Sequence, residues 1–249
     1  MLDRIAAVLQ SCTTSTPHCP PQTLYNARWL LWSLLDWFAT HPIPAEHPLA
    51  VPPDGSWYTD VRLRTPFRKR HQGDQLAGKR LRVDGVIGHF EVTQDNKRPQ
   101  LVLRHDAQCF TVLAARLFKS LGGGTRATPY FDEAARTVTA IAETLRAADR
   151  YPVDMQRLGL YVLAPQSQIA LHTFAEHVNR EAIRQKTKQR VDAYGKPAKA
   201  WYKEWFQPTL EQITIETLSW EALLATIAEH DPAASSEFAR FYQQCLEFN

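Results

Sequence analysis

The feature that most constrains this fold is a run of consecutive apolar residues from Leu158 to Ala164, which reads LGLYVLA. Alternation of apolar and polar residues is typical of a strand with one wet face. An unbroken run instead predicts a strand that is covered on both sides. The sequence therefore favours a layered α/β fold with this strand in the middle.

Hydrophobic periodicity predicts the other elements. Strand-like segments are expected at 57–64, 80–92, 100–104 and 109–117, as an antiparallel meander with turns at Asp95-Asn96 and His105-Asp106. Helices are expected at 2–10, 23–40, 167–190, 220–229 and 234–246, and an amphipathic one opens at Thr128-Pro129. A weak strand is expected near 213–217. The central order is helix, three strands, helix, strand.

The 249 residues suffice for one sizeable core with decorations. We expect an N-terminal helix and linker over 1–21, a core domain over 22–190, and a C-terminal helical extension over 191–249 that packs on the core. No apolar run reaches the ~20 residues of a membrane span, and the start of the chain lacks a secretory pattern. We therefore expect a cytoplasmic protein without membrane contact. The four cysteines lack the spacing of a zinc site or a disulfide framework.

Positive charge is concentrated in two segments. Residues 62–82 hold eight Lys/Arg against one acid, and residues 180–203 hold eight against two, although the net charge is only +3. Either these are two solvated faces, or they form a positive surface for phosphate backbones. The residues that we expect to contact nucleic acid are Arg68, Lys69, Arg70, Arg184, Lys186, Lys188 and Arg190.

Two segments carry a family resemblance. Residues 83–90 read VDGVIGHF, with Asp84 at the start of an apolar strand, and residues 110–117 read FTVLAARL, ending in Ala114-Ala115-Arg116. With the helix, three strands, helix, strand order, this resembles the PD-(D/E)XK, or restriction-endonuclease-like, nuclease superfamily of bacterial type. The resemblance implies an αβββαβ core with a mixed central sheet and extra N- and C-terminal helices. It also implies that Asp84 is the metal-binding Asp and that 114–116 takes the place of Glu-X-Lys.

The departures from that motif predict a degenerate site. Ala114 cannot bind a metal, and Arg116 keeps a positive charge but cannot act as a base. Glu133 and Lys119 are candidate replacements, so that Asp84 and Glu133 would hold Mg²⁺ if the protein is active. His89 and Asp60 are further candidates, each with a structural alternative.

Three functions follow as hypotheses. The first is a nuclease-like protein that binds nucleic acid, DNA rather than RNA, or a nucleoprotein partner, without efficient cleavage. The second is an active Mg²⁺-dependent deoxyribonuclease that uses Asp84, Glu133 and Lys119, with Arg116 beside them. The third is a non-catalytic subunit whose Trp-rich helices dock a protein partner.

Overall fold

The computed structural model describes residues 1–14, 18–95 and 98–249. Within these ranges the strands form a seven-stranded mixed sheet, in the order β3-β4-β1-β2-β5-β6-β7. The strands are β1 (Ser56–Leu63), β2 (Leu81–Gly88), β3 (Phe90–Asp95), β4 (Arg98–Leu103), β5 (Cys109–Ala115), β6 (Arg157–Ala164) and β7 (Thr214–Ser219). The α/β class and the mixed sheet are confirmed. Asn96 of the predicted turn and residues 15–17 of the predicted linker lie outside the described residues.

Helices lie against both faces of this sheet. The helices of the described residues are α1 (Leu2–Gln10), which has no buried residue, and α2 (Ala27–Thr40), α3 (Glu133–Ala147), α4 (Gln166–Ala170), α5 (Arg180–Tyr194), α6 (Lys196–Trp201), α7 (Gln207–Gln212), α8 (Trp220–His230) and α9 (Pro232–Phe248). A π-helical segment, Tyr202–Phe206, joins α6 to α7. In the described part of the chain, no helix is both long enough and apolar enough to cross a membrane.

The sheet is not the predicted antiparallel meander. The predicted strand over 80–92 is divided at Gly88, whose φ of 148° favours glycine. A Cβ there would lie 2.2 Å from the carbonyl oxygen of Cys109. The chain then forms the β3–β4 hairpin, which joins the sheet where β4 runs parallel to β1. β2 instead pairs antiparallel with both β1 and β5.

The apolar run in β6 is covered on both sides, as predicted. Leu160 and Val162 lie in one apolar cluster, with side chains from α3 and α5 to α7. Tyr161 and Leu163 lie in a second cluster, with α2, α8 and α9. A fully buried aliphatic side chain contributes about 1.5–3 kcal/mol, so this strand is a major source of stability.

Two predicted helix positions are wrong. The helix expected to open at Thr128-Pro129 begins at Glu133, because the side chain of Asp132 caps it by accepting the N–H of Ala135. The single helix expected over 167–190 is instead α4 and α5, separated by a turn segment. His172 in that segment has a φ of 55°, which a continuous helix does not allow.

The C-terminal range 191–249 contributes to the central sheet as well as helices. Its strand β7 pairs parallel with β6 along its whole length. The side chains of Trp201, Trp205 and Trp220 are each less than a tenth exposed. These three aromatic side chains therefore stabilise the core of this chain.

Candidate functional site

Asp84 lies where the pairing of β2 with β5 ends. The last paired residues are Gly85 and Leu113. Beyond them, Oδ2 of Asp84 accepts a hydrogen bond of 2.9 Å from the backbone N–H of Ala115. The carboxylate is thereby fixed beside the C-terminal end of β5.

Arg116 directly follows β5, and its backbone is bound on both sides. Its N–H donates to the carbonyl of Leu163 at 2.8 Å, and its carbonyl accepts from Nε1 of Trp220 at 2.7 Å. Its Nη1 donates to Oδ2 of Asp84 at 2.7 Å, and its Nη2 donates to Oε1 of Glu133. One guanidinium therefore bridges two carboxylates.

Glu133 is the first residue of α3 and is held by the glycine segment, Gly122-Gly123-Gly124, that precedes it. Its N–H donates to the carbonyl of Gly122 at 2.8 Å, and its Oε2 accepts the N–H of Gly122 at 2.7 Å. The second carboxylate oxygen is thus bound to backbone while the first binds Arg116. Both oxygens are already engaged within the protein.

The electrostatics of this cluster, defined as Asp84, Arg116 and Glu133, keep the guanidinium charged. Burial alone would lower the pKa of Arg116, since only 15% of its side chain is exposed. The charges and hydrogen bonds of Glu133 and Asp84 outweigh burial and raise that pKa above its ordinary value. Arg116 is therefore a permanent cation here and cannot accept a proton.

All four predicted catalytic residues line one cleft of about 890 Å³: Asp84, Arg116, Lys119 and Glu133. The side chain of Lys119 is exposed and has no ion-pair partner among the described residues. The start of α2, where the sequence lacks an acid, lies in the same wall with Asn26, Ala27 and Arg28. The groups that the sequence singled out are thus brought together.

The residues present do not fit a Mg²⁺ ion. This ion needs near-octahedral oxygen ligands at about 2.0–2.1 Å, including one or two carboxylates. The space between Asp84 and Glu133 is taken by the cationic head of Arg116, which would repel a divalent ion. Ala114 adds no ligand. Within the described ranges, no group of three or more His, Cys, Asp and Glu side chains has a metal-binding arrangement.

Several of the predicted nucleic-acid contacts are structural. Arg190 is only 3% exposed, donates from Nη2 to the carbonyl of Leu76, and lies 4.3 Å over the ring of Phe67. Arg70 forms an ion pair of 2.8 Å with Asp74. The guanidinium of Arg190 is therefore buried against the core rather than exposed on the surface, and its contact with nucleic acid stays a prediction.

The remaining basic residues of α5 and of the connection between β1 and β2 differ in whether they have ion-pair partners. Nζ of Lys186 lies 2.6 Å from Asp132, and Arg184 lies 3.7 Å from Glu181. The other three are exposed, namely Arg68, Lys69 and Lys188. Arg68 also lies 3.8 Å from the carboxylate of Glu143, whereas Lys69 and Lys188 have no side-chain partner in the described part of the chain.

The two basic segments nevertheless pack against each other. Tyr194 on α5 donates its hydroxyl to the carbonyl of Arg68, and Nη1 of Arg70 donates to the carbonyl of Tyr194 at 2.6 Å. The guanidinium of Arg70 also lies 4.3 Å over the ring of Tyr194. Segments separated by over a hundred residues in the chain therefore contribute to one surface.

A buried charge cluster at Asp132 was not predicted from the sequence. Oδ2 of this residue lies 2.6 Å from Nζ of Lys186 and 2.8 Å from Nδ1 of His177. Burial opposes ionisation, but hydrogen bonds from Lys186, the N–H of Ala135 and His177 together lower the pKa of Asp132. An Asp before an apolar periodic segment is a helix-capping signal that could have identified it.

Two lesser candidates have structural roles. Nδ1 of His89 accepts backbone N–H groups of Gln108 and Cys109 at 3.3 and 3.2 Å, and its Nε2 lies 3.0 Å from the carbonyl of Pro53. Asp60 forms an ion pair with Arg82 at 2.6 Å. Neither lines the cleft of Asp84.

Comparison with protein-family models, curated proteins and solved structures found no match to this chain. Function must therefore be argued from the site itself.

Proposed function

We propose that this chain is a nuclease-like protein of the PD-(D/E)XK type that binds nucleic acid without efficient cleavage. The order of elements supports the proposal: α2, β1, β2, β5, α3 and β6 follow the αβββαβ order, and the β3–β4 hairpin is an insertion between the second and third strands. β2, β5 and β6 are neighbours in the sheet, so residues at the ends of these strands lie close together.

The single observation that carries the proposal is the bridge from Arg116 to Asp84 and Glu133. In the nucleases that the sequence resembles, an Asp at the place of Asp84 and the Glu of Glu-X-Lys converge on a divalent ion; this chain has Ala114 at the second place and offers Glu133 as a candidate replacement. Here a fixed side-chain cation lies between the carboxylates. It neutralises them without a metal, so the fold keeps its charge balance while losing the group that would activate water.

Loss of cleavage follows from the same geometry. Phosphodiester hydrolysis needs a metal or a base to generate the nucleophile and a group to neutralise the developing charge. Arg116 can supply neither a metal site nor a base. Its guanidinium is also engaged by two carboxylates, which compete with any phosphate for its donors. Among the described residues that line this cleft, two exposed cations remain, namely Lys119 and Arg28, and Arg28 lies 3.5 Å from Asp60.

Nucleic-acid binding is supported by the surface that the two basic segments form together. Exposed Lys and Arg side chains near one another release counterions when they meet phosphates, which makes binding depend steeply on salt. Arg68, Lys69, Arg70 and Lys188 are the exposed members of the predicted set, and of these Arg70 is paired with Asp74. DNA remains the ligand that we propose.

The test combines a binding and a cleavage assay. Wild-type protein is expected to bind labelled DNA with an affinity that falls steeply as salt increases, and to leave supercoiled plasmid intact with Mg²⁺ or Mn²⁺. Affinity independent of salt would overturn phosphate recognition and favour the protein-docking hypothesis. The double variant Ala114→Glu/Arg116→Lys restores the Glu-X-Lys pattern and is expected to gain metal-dependent nicking.

An active nuclease is a second candidate, favoured by the presence of Asp84, Glu133 and Lys119 around one cleft. It requires Arg116 to leave the carboxylates so that Mg²⁺ can enter. Metal-dependent nicking by wild-type protein that disappears in Asp84→Ala would establish this candidate and exclude the inactive one.

A further inference from the structure

A second cleft, of about 780 Å³, is lined in part by the segment that connects β5 to α3. Residues 64–81 form one wall, and residues 125–140 form the other. Glu133 faces the first cleft and Arg136, one helical turn later on α3, faces the second. Gly122 lines the first cleft and Thr125 lines the second, so the two clefts are neighbours along the β5–α3 connection and the start of α3.

The charge of this second cleft, here called the basic cleft, is strongly positive. Its cationic lining residues are Arg64, Lys79, Arg126, Arg136 and Arg190. Among the described residues that line it, Asp74 is the sole acid. The carboxylate of Asp74 is occupied by Arg70, whose hydrogen bonds contribute most to holding the pKa of Asp74 well below its ordinary value. The cleft thus has an excess of positive charge.

The cations at its rim lack partners. Within the described ranges, the side chains of Arg64, Lys79, Arg126 and Arg136 form no hydrogen bond and no ion pair. Like charges around one cavity repel each other, and a protein that keeps them unpaired gains no stability from them. An anion bound in the cavity would compensate the repulsion between these positive charges.

Unpaired buried polar atoms at the same cleft also indicate that an anion binds there. In the described part of the chain, Nη1 of Arg190 and Oγ1 of Thr139 are buried without a hydrogen-bond partner, and both residues line the cavity. Burial lowers the pKa of Arg190, with no carboxylate bound to it. Unpaired buried donors are rare and costly, so they indicate a ligand group that is to be bound.

We propose that the basic cleft binds phosphate groups of a single nucleic-acid strand. Phosphate oxygens are acceptors, and Arg binds them with two parallel hydrogen bonds. A volume of about 780 Å³ is that of a small-molecule site, large enough for one or two nucleotides and too small for a duplex. The source of the phosphates rests on the proposed function, whereas the phosphate chemistry rests on the cleft alone.

The experiment compares two double variants of the full chain. Arg126→Gln/Arg136→Gln removes two charges from the cleft. Arg4→Gln/Arg240→Gln removes two exposed charges from α1 and α9, which line neither cleft. Binding of a fluorescein-labelled single-stranded DNA is measured by anisotropy over a series of salt concentrations, and circular dichroism verifies folding. Lys79→Gln is the substitute if the first variant does not fold.

Each lost phosphate contact on a single strand lowers the salt slope by about 0.7, equivalent to about fivefold in affinity at about 0.1 M salt. The cleft variant is therefore expected to bind about 25-fold more weakly, with a slope reduced by about 1.4. The control variant is expected to lose less than about twofold.

The outcomes separate this inference from the proposed function. Salt-dependent wild-type binding that is equally strong in the cleft variant would overturn the basic cleft and leave the proposed function standing. Failure of wild-type protein to bind DNA, together with pyrophosphate binding that the cleft variant loses, would support the phosphate site and overturn the proposed function. If the cleft variant binds both DNA and pyrophosphate as strongly as wild-type protein does, the inference is overturned.

Discussion

The substitution Arg116→Met tests whether the guanidinium holds the two carboxylates together. Methionine retains much of the apolar stem of Arg116 and removes the charge, so the measured change in unfolding free energy reports on the ion pairs. Removing one partner of a fully buried pair costs about 3–5 kcal/mol. Here Asp84 is 37% and Glu133 is 22% exposed, so water compensates part of that loss. We therefore expect a destabilisation of about 2–3 kcal/mol.

The assay is thermal unfolding followed by circular dichroism, with Arg82→Met as the matched control. Arg82 forms an ion pair of 2.6 Å with Asp60, but 53% of its side chain is exposed, and such surface pairs are worth about 0–1 kcal/mol. For a chain of this length, about 2–3 kcal/mol corresponds to a Tm lower by about 4–12 °C. If Arg116→Met loses no more stability than Arg82→Met, the bridge does not stabilise the site and the reasoning fails.

Two further predictions concern the glycine segment and acid stability. Gly124→Ala is expected to destabilise by about 1–3 kcal/mol, because its Cβ would lie 1.9 Å from the carbonyl oxygen of Thr128. The control is Gly123→Ala, whose Cβ would meet no atom within 4 Å and which is expected to change stability by less than about 1 kcal/mol. If urea denaturation shows the same loss of stability for both glycine variants, the packing argument is contradicted. Burial raises the pKa of Asp132, but hydrogen bonds outweigh burial and lower that pKa. The ionised carboxylate therefore stabilises the folded state above the unfolded-state pKa of about 4, and this stabilisation is lost as the pH falls further. Asp132→Asn is expected to flatten the stability–pH curve below about pH 4, and an unchanged slope would show that the carboxylate is not the group that titrates.

The parts of the fold that sequence predicted well are those with a strong local pattern. The LGLYVLA run identified β6 because a strand covered on both sides needs apolar residues at every position. The limits of α8 and α9 were close because periodic apolar residues follow capping side chains there. The division at Gly88 was missed, because a glycine inside a strand pattern does not disclose its backbone angle.

The sequence predicted which residues line the cleft, but it did not predict the contacts that these residues make with one another. Strand order suggested that Asp84 and Arg116 lie near each other, and the register of β2 and β5 agrees with this. The bridge to Glu133 depends on how the start of α3 is held by Gly122, which is a tertiary contact without a local signal. Local charge density likewise indicated the basic segments, but it could not show that Arg190 is buried.

We propose that a guanidinium replaces a metal ion in this cluster. The direct test is calorimetric titration of Mg²⁺ into wild-type protein and into the variant Ala114→Glu/Arg116→Lys. Wild-type protein is expected to give no specific binding heat, because Arg116 lies between the two carboxylates. The double variant is expected to bind the ion through Asp84 and the new Glu at position 114. Specific Mg²⁺ binding by wild-type protein that disappears in Asp84→Ala would contradict the proposal.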